Sequence, residues 1–359
     1  MMLRLLLAIV LLVGLGSDAG SALAAQTRIQ PPRFLRVIGR PGWTLRALAI
    51  SPDVGVVALG EYTPDRSPPI IRVSVWSVTT GQLLRSIPVP EVPVSLGFSP
   101  DGRRLVVATF GDTVVMVDPS SGRIESSFRS GIARHDRVMV MPDGQSVLLS
   151  GSGQREQSVA LWDLASAARR WSVELQTSPC GPLVFPDGNR IITGPDASTW
   201  SGTLSLRDTR TGRVIRDLRL HSEPEKTFCA LSPDGRLLAA YGTSGKVNPW
   251  GGTILNTTTW RQIVEFPRGA DRWPEHVLLQ ELAFSPDGRF LAVAGDMPGG
   301  AAVEIRLARS FAPVARISAG GAGAVQFSTD GSLLAFLQSF PRTAPAVELW
   351  DVRPMRGRR

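Results

Sequence analysis

The chain has few of the residues that commonly carry enzymatic or metal chemistry. Its 359 residues include only two cysteines, three histidines and two tyrosines, and lysine occurs only at Lys226 and Lys246. A Gly-x-Ser-x-Gly nucleophile elbow, a His-Glu-x-x-His motif and a Cys/His cluster with zinc spacing are all missing from the sequence, which excludes the familiar hydrolase and zinc-site patterns. We therefore expect no enzyme, no metal and no cofactor.

Long apolar runs are also scarce, and the one present lies near Met1. Arg4 precedes an apolar run at residues 5–15, and Ala22-Leu23-Ala24 gives a small-x-small cleavage pattern. This arrangement is typical of a secretory signal peptide that is cut after Ala24. A membrane anchor is the alternative, but a spanning helix needs about 20 apolar residues, and glycines interrupt this run. We expect residues 1–24 to be removed and the mature chain to be periplasmic or secreted.

What the chain has in quantity is one turn motif, present seven times. The aspartates of successive copies lie 42 to 53 positions apart. A period of about 40–50 residues is typical of solenoids, propellers and arrays. The copies are Ser51-Pro52-Asp53, Ser99-Pro100-Asp101-Gly102, Pro142-Asp143-Gly144, Pro186-Asp187-Gly188, Ser232-Pro233-Asp234-Gly235, Ser285-Pro286-Asp287-Gly288 and Ser328-Thr329-Asp330-Gly331.

Each repeat contains four short strand patterns joined by tight turns. In the second repeat these patterns lie at residues 94–98, 105–108, 113–118 and 123–128. Proline presets φ, aspartate bonds its own backbone and glycine accepts a positive φ, so the motif suits the turn between the first two strands. Four short strands per unit predict a propeller blade. Seven units therefore predict an all-β, seven-bladed β-propeller of four-stranded antiparallel blades.

The last repeat is one strand short, and this predicts how the ring closes. It has strand patterns only at residues 324–328, 333–338 and 346–352. The apolar segment at residues 34–38 stands before the first blade and has no other role, so we predict that it completes the seventh blade. Closure removes a sheet edge that would invite aggregation. We expect a single propeller domain over residues 25–352 and a basic tail at 353–359.

The repeats resemble the WD40 family over nearly all of the mature chain. The resemblance rests on the Ser-Pro-Asp-Gly turns, on Leu161-Trp162-Asp163 and Leu349-Trp350-Asp351, and on Trp76 at the matching position of the first unit. The family's Gly-His dipeptide is absent, although His221 and His276 stand about where its histidine would be. The resemblance implies a divergent repeat protein that acts as a non-catalytic protein–protein interaction scaffold.

The topology assigns the longer loops to one face, which we call the loop-rich face. It carries the loops between second and third strands and the loops between blades; the opposite face, the turn face, carries the short turns. Loops on a rigid scaffold often carry function, and Arg, Trp and Tyr are enriched at binding hot spots. For the tryptophans, capping of the blades is the alternative. The candidate partner-binding residues are Arg66, Arg134, His135, Arg155, Trp200, Lys246, Trp250, Arg272, Trp273 and Arg342.

Seven aspartates are explained by turn geometry and receive a structural assignment. An enzyme of the lactonase or dehydrogenase type, with its site in the central channel, remains the alternative to a scaffold, although no converging carboxylates can be recognised. The turn aspartates are Asp53, Asp101, Asp143, Asp187, Asp234, Asp287 and Asp330.

The net charge of +8 comes almost entirely from arginine. A basic exported protein could bind an anionic cell-envelope polymer, so this is a second alternative, and it requires a clustered patch of arginines. We expect a protein partner, no nucleic acid and a monomer. Cys180 and Cys229 precede the turn in adjacent repeats. Inner strands of adjacent blades diverge, which favours two separate buried thiols, whereas export would permit a disulfide.

Overall fold

A computed structural model describes residues 29–152, 157–175, 180–194, 203–219, 226–243, 251–265, 278–297, 299–338 and 346–356. The predicted signal peptide lies outside these residues. Within them the chain forms 28 strands, arranged as seven four-stranded antiparallel sheets, and one short 3-10 turn at Arg353–Arg356. The predicted seven-bladed propeller is confirmed.

Each blade runs from an inner to an outer strand in chain order, except the last. Blade 1 is β2 (Thr44–Ile50), β3 (Val56–Tyr62), β4 (Ile71–Ser77) and β5 (Leu83–Pro88); blade 2 is β6 (Pro93–Phe98), β7 (Leu105–Thr109), β8 (Thr113–Asp118) and β9 (Arg123–Arg129); blade 3 is β10 (Arg134–Val140), β11 (Ser146–Ser152), β12 (Gln157–Asp163) and β13 (Arg169–Leu175); blade 4 is β14 (Leu183–Val184), β15 (Arg190–Thr193), β16 (Thr203–Asp208) and β17 (Val214–Arg219). Blade 5 is β18 (Lys226–Leu231), β19 (Leu237–Thr243), β20 (Gly251–Asn256) and β21 (Gln262–Glu265); blade 6 is β22 (Leu278–Phe284), β23 (Phe290–Met297), β24 (Gly300–Leu307) and β25 (Pro313–Ser318); blade 7 is β26 (Ala322–Phe327), β27 (Leu333–Gln338), β28 (Ala346–Asp351) and β1 (Arg33–Ile38).

The ring closes as predicted, because β1 supplies the outer strand of blade 7. It pairs antiparallel with β28, with Phe34 opposite Trp350 and Ile38 opposite Val347. The rings of Phe34 and Trp350 meet edge to face at 5.4 Å between centroids, a geometry that aromatic pairs favour. Arg33 adds an ion pair to the buried carboxylate of Asp351 at 3.3 Å. Strand pairing and side-chain contacts therefore both fix the closing strand.

The repeated turn is built by one hydrogen-bond pattern. In every copy the aspartate carboxylate accepts a bond from the backbone N–H two residues further on, as Asp101 does from Arg103 at 3.0 Å. In five copies the serine two residues before the aspartate also donates its hydroxyl to it, as Ser99 does to Asp101 at 2.6 Å. Blades 3 and 4 have Met141 and Phe185 in place of that serine. Because these bonds favour the charged carboxylate, they lower the pKa of Asp101.

The core lies between neighbouring blades, which face each other with their second and third strands. Leu59, Leu105 and Leu149, on the second strands of three blades, are fully buried. Outer strands also contact the next blade. Arg85 Nε donates to the carbonyl oxygen of Ser120 at 3.0 Å, and Trp171 Nε1 donates to that of Thr209 at 2.7 Å. Adjacent blades are thus joined both by apolar packing inside and by side-chain hydrogen bonds near the rim.

The third strand carries a recurring polar pair at its end. In blade 1 the indole N–H of Trp76 donates to Ser74 at 2.8 Å, and in blade 7 that of Trp350 donates to Glu348 at 2.7 Å. In blade 6 Arg306 occupies the tryptophan position, and its Nε donates to the residue two positions earlier, Glu304, at 3.0 Å. A guanidinium therefore replaces the indole as the donor. In blade 3 the buried indole N–H of Trp162 has no hydrogen-bond partner among the described residues.

The two cysteines form a disulfide, so the expectation of two separate thiols is wrong. Cys180 and Cys229 join blade 4 to blade 5, with their Cα atoms 5.0 Å apart. The argument from diverging strands fails because β14 has only two residues. Cys180 precedes it in an irregular segment, which the strand ladder does not hold away from Cys229 on β18.

Candidate functional site

Three of the ten candidate partner-binding residues lie within the described residues. Arg66, in the loop between β3 and β4, is exposed on the loop-rich face. Arg134 begins β10 and is also exposed, whereas His135 beside it is buried. The remaining seven lie outside the described residues: Arg155, Trp200, Lys246, Trp250, Arg272, Trp273 and Arg342.

His135 does not offer a surface for a partner, and the assignment of its side chain to the binding face is corrected. It is 3% exposed. Its Nδ1–H donates to the carbonyl oxygen of Thr109 at 3.0 Å, which leaves Nε2 to accept from the Ser130 hydroxyl at 2.7 Å. Burial lowers the pKa of His135, although the carbonyl of Thr109 opposes this, so the ring is neutral and ties blade 3 to blade 2.

Arg134 forms an exposed aromatic contact on the loop-rich face. Its guanidinium carbon lies 4.7 Å from the centroid of Phe110, within the range of a cation–π interaction. Phe110 follows β7 in the loop to β8 and is 51% exposed. Arg134 has no ion pair with any described residue. The sequence analysis missed Phe110, although an aromatic residue between two predicted strands, just before a glycine, marks a loop tip.

A buried ion pair supports the loop that carries Arg66. Glu61 near the end of β3 accepts from Arg72 near the start of β4 at 2.6 Å, and both side chains are at least nine-tenths buried. The ring of Trp43 stacks on the same guanidinium at 3.4 Å. Because a buried pair costs several kcal/mol to break, this arrangement fixes the base of the loop. Ile70, at the end of the same loop, is 42% exposed.

The axis of the propeller contains a cavity of about 340 Å³. An ion pair crosses it, from Arg137 on blade 3 to Glu281 on blade 6, at 2.5 Å between Nη2 and Oε1. Arg46 and Asp136 also line the cavity. Burial raises the pKa of Asp136, and the charge of Arg134 opposes that shift. The axis is therefore polar and carries charges of both signs.

The turn face has two neighbouring cavities of about 590 Å³ and about 360 Å³, which share Pro142 and Asp143. The aspartates that line them accept turn hydrogen bonds, as Asp143 does from the N–H groups of Gln145 and Ser146, and Glu125 pairs with Arg104 at 3.2 Å. In the described part of the chain no group of three or more His, Cys, Asp or Glu residues is placed to hold a metal ion. No helix there is long and apolar enough to cross a membrane.

The described arginines lie on several parts of the propeller. Arg66 and Arg134 lie on the loop-rich face, Arg103 lies beside an aspartate turn on the turn face, and Arg33 and Arg85 lie on outer strands. Binding of an anionic polymer requires a clustered patch of arginines, and this alternative stays a prediction.

Comparison with known proteins gives a distant similarity. No protein-family model matches this chain. Telomerase protein component 1 of Rattus norvegicus is 24% identical over 268 residues, which is 73% of this chain and 9% of the rat protein. Telomerase protein component 1 of Mus musculus is 24% identical over 285 residues, which is 79% of this chain and 10% of the mouse protein. The chain thus spans about a tenth of the length of the curated relatives it matches.

Proposed function

We propose that this chain is an exported, non-catalytic scaffold with WD40-like repeats that binds a protein partner on its loop-rich face. The observation that carries the proposal is the exposed Phe110–Arg134 pair on a rigid propeller. Aromatic and arginine side chains dominate binding hot spots, because they bury a large area and make directional contacts. The distant similarity to telomerase protein component 1 supports the repeat assignment loosely and says nothing about a partner.

The rigidity of the site supports the same conclusion. Arg134 begins a strand, and its neighbour His135 is fixed by hydrogen bonds to Thr109 and Ser130. Phe110 is held by a backbone hydrogen bond from its N–H to the carbonyl oxygen of Val92 at 2.7 Å. Binding of a partner would therefore cost little conformational entropy at these side chains, and pre-organisation of this kind favours affinity.

The test is partner capture with matched variants. The mature chain is immobilised, proteins captured from the exported fraction are identified, and affinity is then measured with each purified partner. We expect Phe110→Ala and Arg134→Ala each to weaken binding about tenfold or more, since truncating a hot-spot residue costs about 2 kcal/mol or more. Ile124→Ala is the control, because Ile124 is 40% exposed but lies on outer strand β9. Equal affinity for all variants would show that this face is not the interface.

Export is tested separately. Protein recovered from the cell envelope or the medium should begin at Ala25 when its N-terminus is sequenced, since the pattern at residues 22–24 favours cleavage there. A full-length chain that still begins at Met1 and remains in the cytosol would contradict the export proposal. That result would leave the partner-binding face untouched.

A further inference from the structure

The central channel is polar, enclosed by several blades and not used by the proposed interface. Its cavity of about 340 Å³ is lined by the inner strands of blades 1, 2, 3, 6 and 7. Each inner strand runs towards its aspartate turn, so the beginnings of these strands lie at the loop-rich face. Arg46 and Asp136 stand near the beginnings of β2 and β10. They therefore mark the mouth of the channel on that face.

β-Bulges set the positions of both residues. In blade 1, Leu45 pairs with Glu61 and Ala47 pairs with Gly60, so Arg46 is the extra residue. In blade 3, His135 pairs with Gly151 and Arg137 with Ser150, so Asp136 is the extra residue. A bulge leaves the extra residue outside the ladder and redirects its side chain. The inner strands of blades 2, 6 and 7 have a register shift at the same place, so the bulge belongs to the repeat, and the charged side chains are what distinguishes blades 1 and 3.

The bulged positions carry opposite charges, and the guanidinium of Arg46 lies 5.9 Å from the centroid of the Tyr62 ring. Arg137 is satisfied by Glu281 across the channel. Among the described residues neither Arg46 nor Asp136 has an ion pair; Asp136 gains only the amide of Gln157, at 3.2 Å when that amide is rotated. Ser95 and Gln326 also line the cavity, whereas the side chains of Leu96 and Val138 are buried in the cores between blades.

We propose that the channel mouth binds a small dipolar molecule that carries a carboxylate at one end and an ammonium at the other. The carboxylate contacts the guanidinium of Arg46 and the ammonium contacts the carboxylate of Asp136, while the stem spans the channel mouth between them. A purely anionic ligand would be attracted by Arg46 but repelled by Asp136. A purely cationic ligand would be attracted by Asp136 but repelled by Arg46. Charge-assisted hydrogen bonds at both ends therefore select a ligand with both charges.

Titration calorimetry with simple probes tests this proposal on the purified protein. 5-Aminopentanoate carries both charges, pentanoate lacks the ammonium and pentylamine lacks the carboxylate. We expect the dipolar probe to bind at least about tenfold more tightly than either single-charge analogue, which is a modest difference for one charged contact. Equal binding of all three, or no binding of 5-aminopentanoate at millimolar concentration, would overturn the proposal.

Two variants test whether Arg46 and Asp136 contact the charged ends of the probe. Arg46→Gln and Asp136→Asn should each remove most of the preference for the dipolar probe. Arg103→Gln and Asp287→Asn are matched controls, because both residues lie at turns of the turn face; they should leave the binding unchanged. If the controls weaken binding as much as the channel variants do, the probe does not bind in the channel.

Two sources of this chemistry exist, a free ω-amino acid and the two ends of a short peptide. Glycylglycine, with a similar separation of charges and an added amide, distinguishes them: tighter binding than 5-aminopentanoate indicates a peptide, and weaker binding indicates a free amino acid. Phe110→Ala should not change the binding of either probe. Failure of the channel site is therefore distinguishable from failure of the partner face.

Discussion

Trp162 offers a quantitative test of how the blades are stabilised. Its buried indole N–H finds no hydrogen-bond partner in the described part of the chain, and the residue is 8% exposed. In blade 1 the equivalent Trp76 donates to Ser74, two positions earlier on the same strand, at 2.8 Å. The corresponding residue in blade 3 is Ala160. Replacing Ala160 by serine should therefore give the indole the partner that blade 1 already provides.

The surroundings in blade 3 suit this change. Ala160 pairs across the strand with Ser172, as Ser74 pairs with Ser86 in blade 1. An unsatisfied buried donor costs about 1–3 kcal/mol, and a new hydrogen bond contributes about 1 kcal/mol net. We expect Ala160→Ser to raise the free energy of unfolding by about 1 kcal/mol, because the gain must also offset the burial of the new hydroxyl.

Urea unfolding of the mature chain measures this difference directly. A higher midpoint with an unchanged slope means that stability has changed and the unfolded state has not. Ala58→Ser is the matched control, because Ala58 is fully buried on β3 and its new hydroxyl has no orphan donor to satisfy; it should lower the midpoint. If Ala160→Ser lowers the midpoint by the same amount, the unpartnered indole does not limit the stability of blade 3.

Three further predictions concern closure, the disulfide and pH. Deletion of residues 26–40 should lower the melting temperature, since it removes β1 with the buried Ile38, a loss of about 1.5–3 kcal/mol for that side chain alone; an unchanged melting temperature would contradict the closure. The disulfide spans 49 positions, so the chain-entropy model predicts that reduction lowers the free energy of unfolding by about 4 kcal/mol. Calorimetry with and without reductant measures this difference. A Cys180→Ser/Cys229→Ser variant should not respond to reductant. Burial lowers the folded-state pKa of His135, so the unfolded state binds a proton at higher pH and the stability falls as pH drops below about 6.5. His135→Gln should reduce the fall in melting temperature between pH 7 and pH 5. An equal fall in both proteins would show that His135 does not titrate on unfolding.

The architecture was predictable because it repeats. The turn of Asp101 appears in the sequence as a local pattern, and its phase identifies the strands on either side. The closing strand followed from counting, since blade 7 lacked one strand and residues 34–38 had no other place. Local hydrogen bonds and alternation determine these features, and both are visible in a single repeat.

The site was less predictable because it depends on departures from the repeat. The buried position of His135 follows from contacts with the preceding blade, at Thr109 and Ser130, which no local pattern records. Arg306 occupies a tryptophan position, and Glu304 two residues earlier accepts its hydrogen bond. One hydrogen-bond donor thus replaces another. The disulfide depends on the irregular segment before the two-residue strand β14, and the bulge at Arg46 depends on pairing with β3.

The seventh blade is the only described sheet that combines strands from the two ends of the described chain. The ion pair between Arg33 and Asp351 joins residues 318 positions apart. Contacts of such high sequence separation form slowly, because the entropy of the intervening chain must be lost first. We therefore expect the six consecutive blades to assemble as an open arc before the ring closes. In refolding kinetics this closure would be the slow phase, and deletion of residues 26–40 would remove that phase and leave the faster ones.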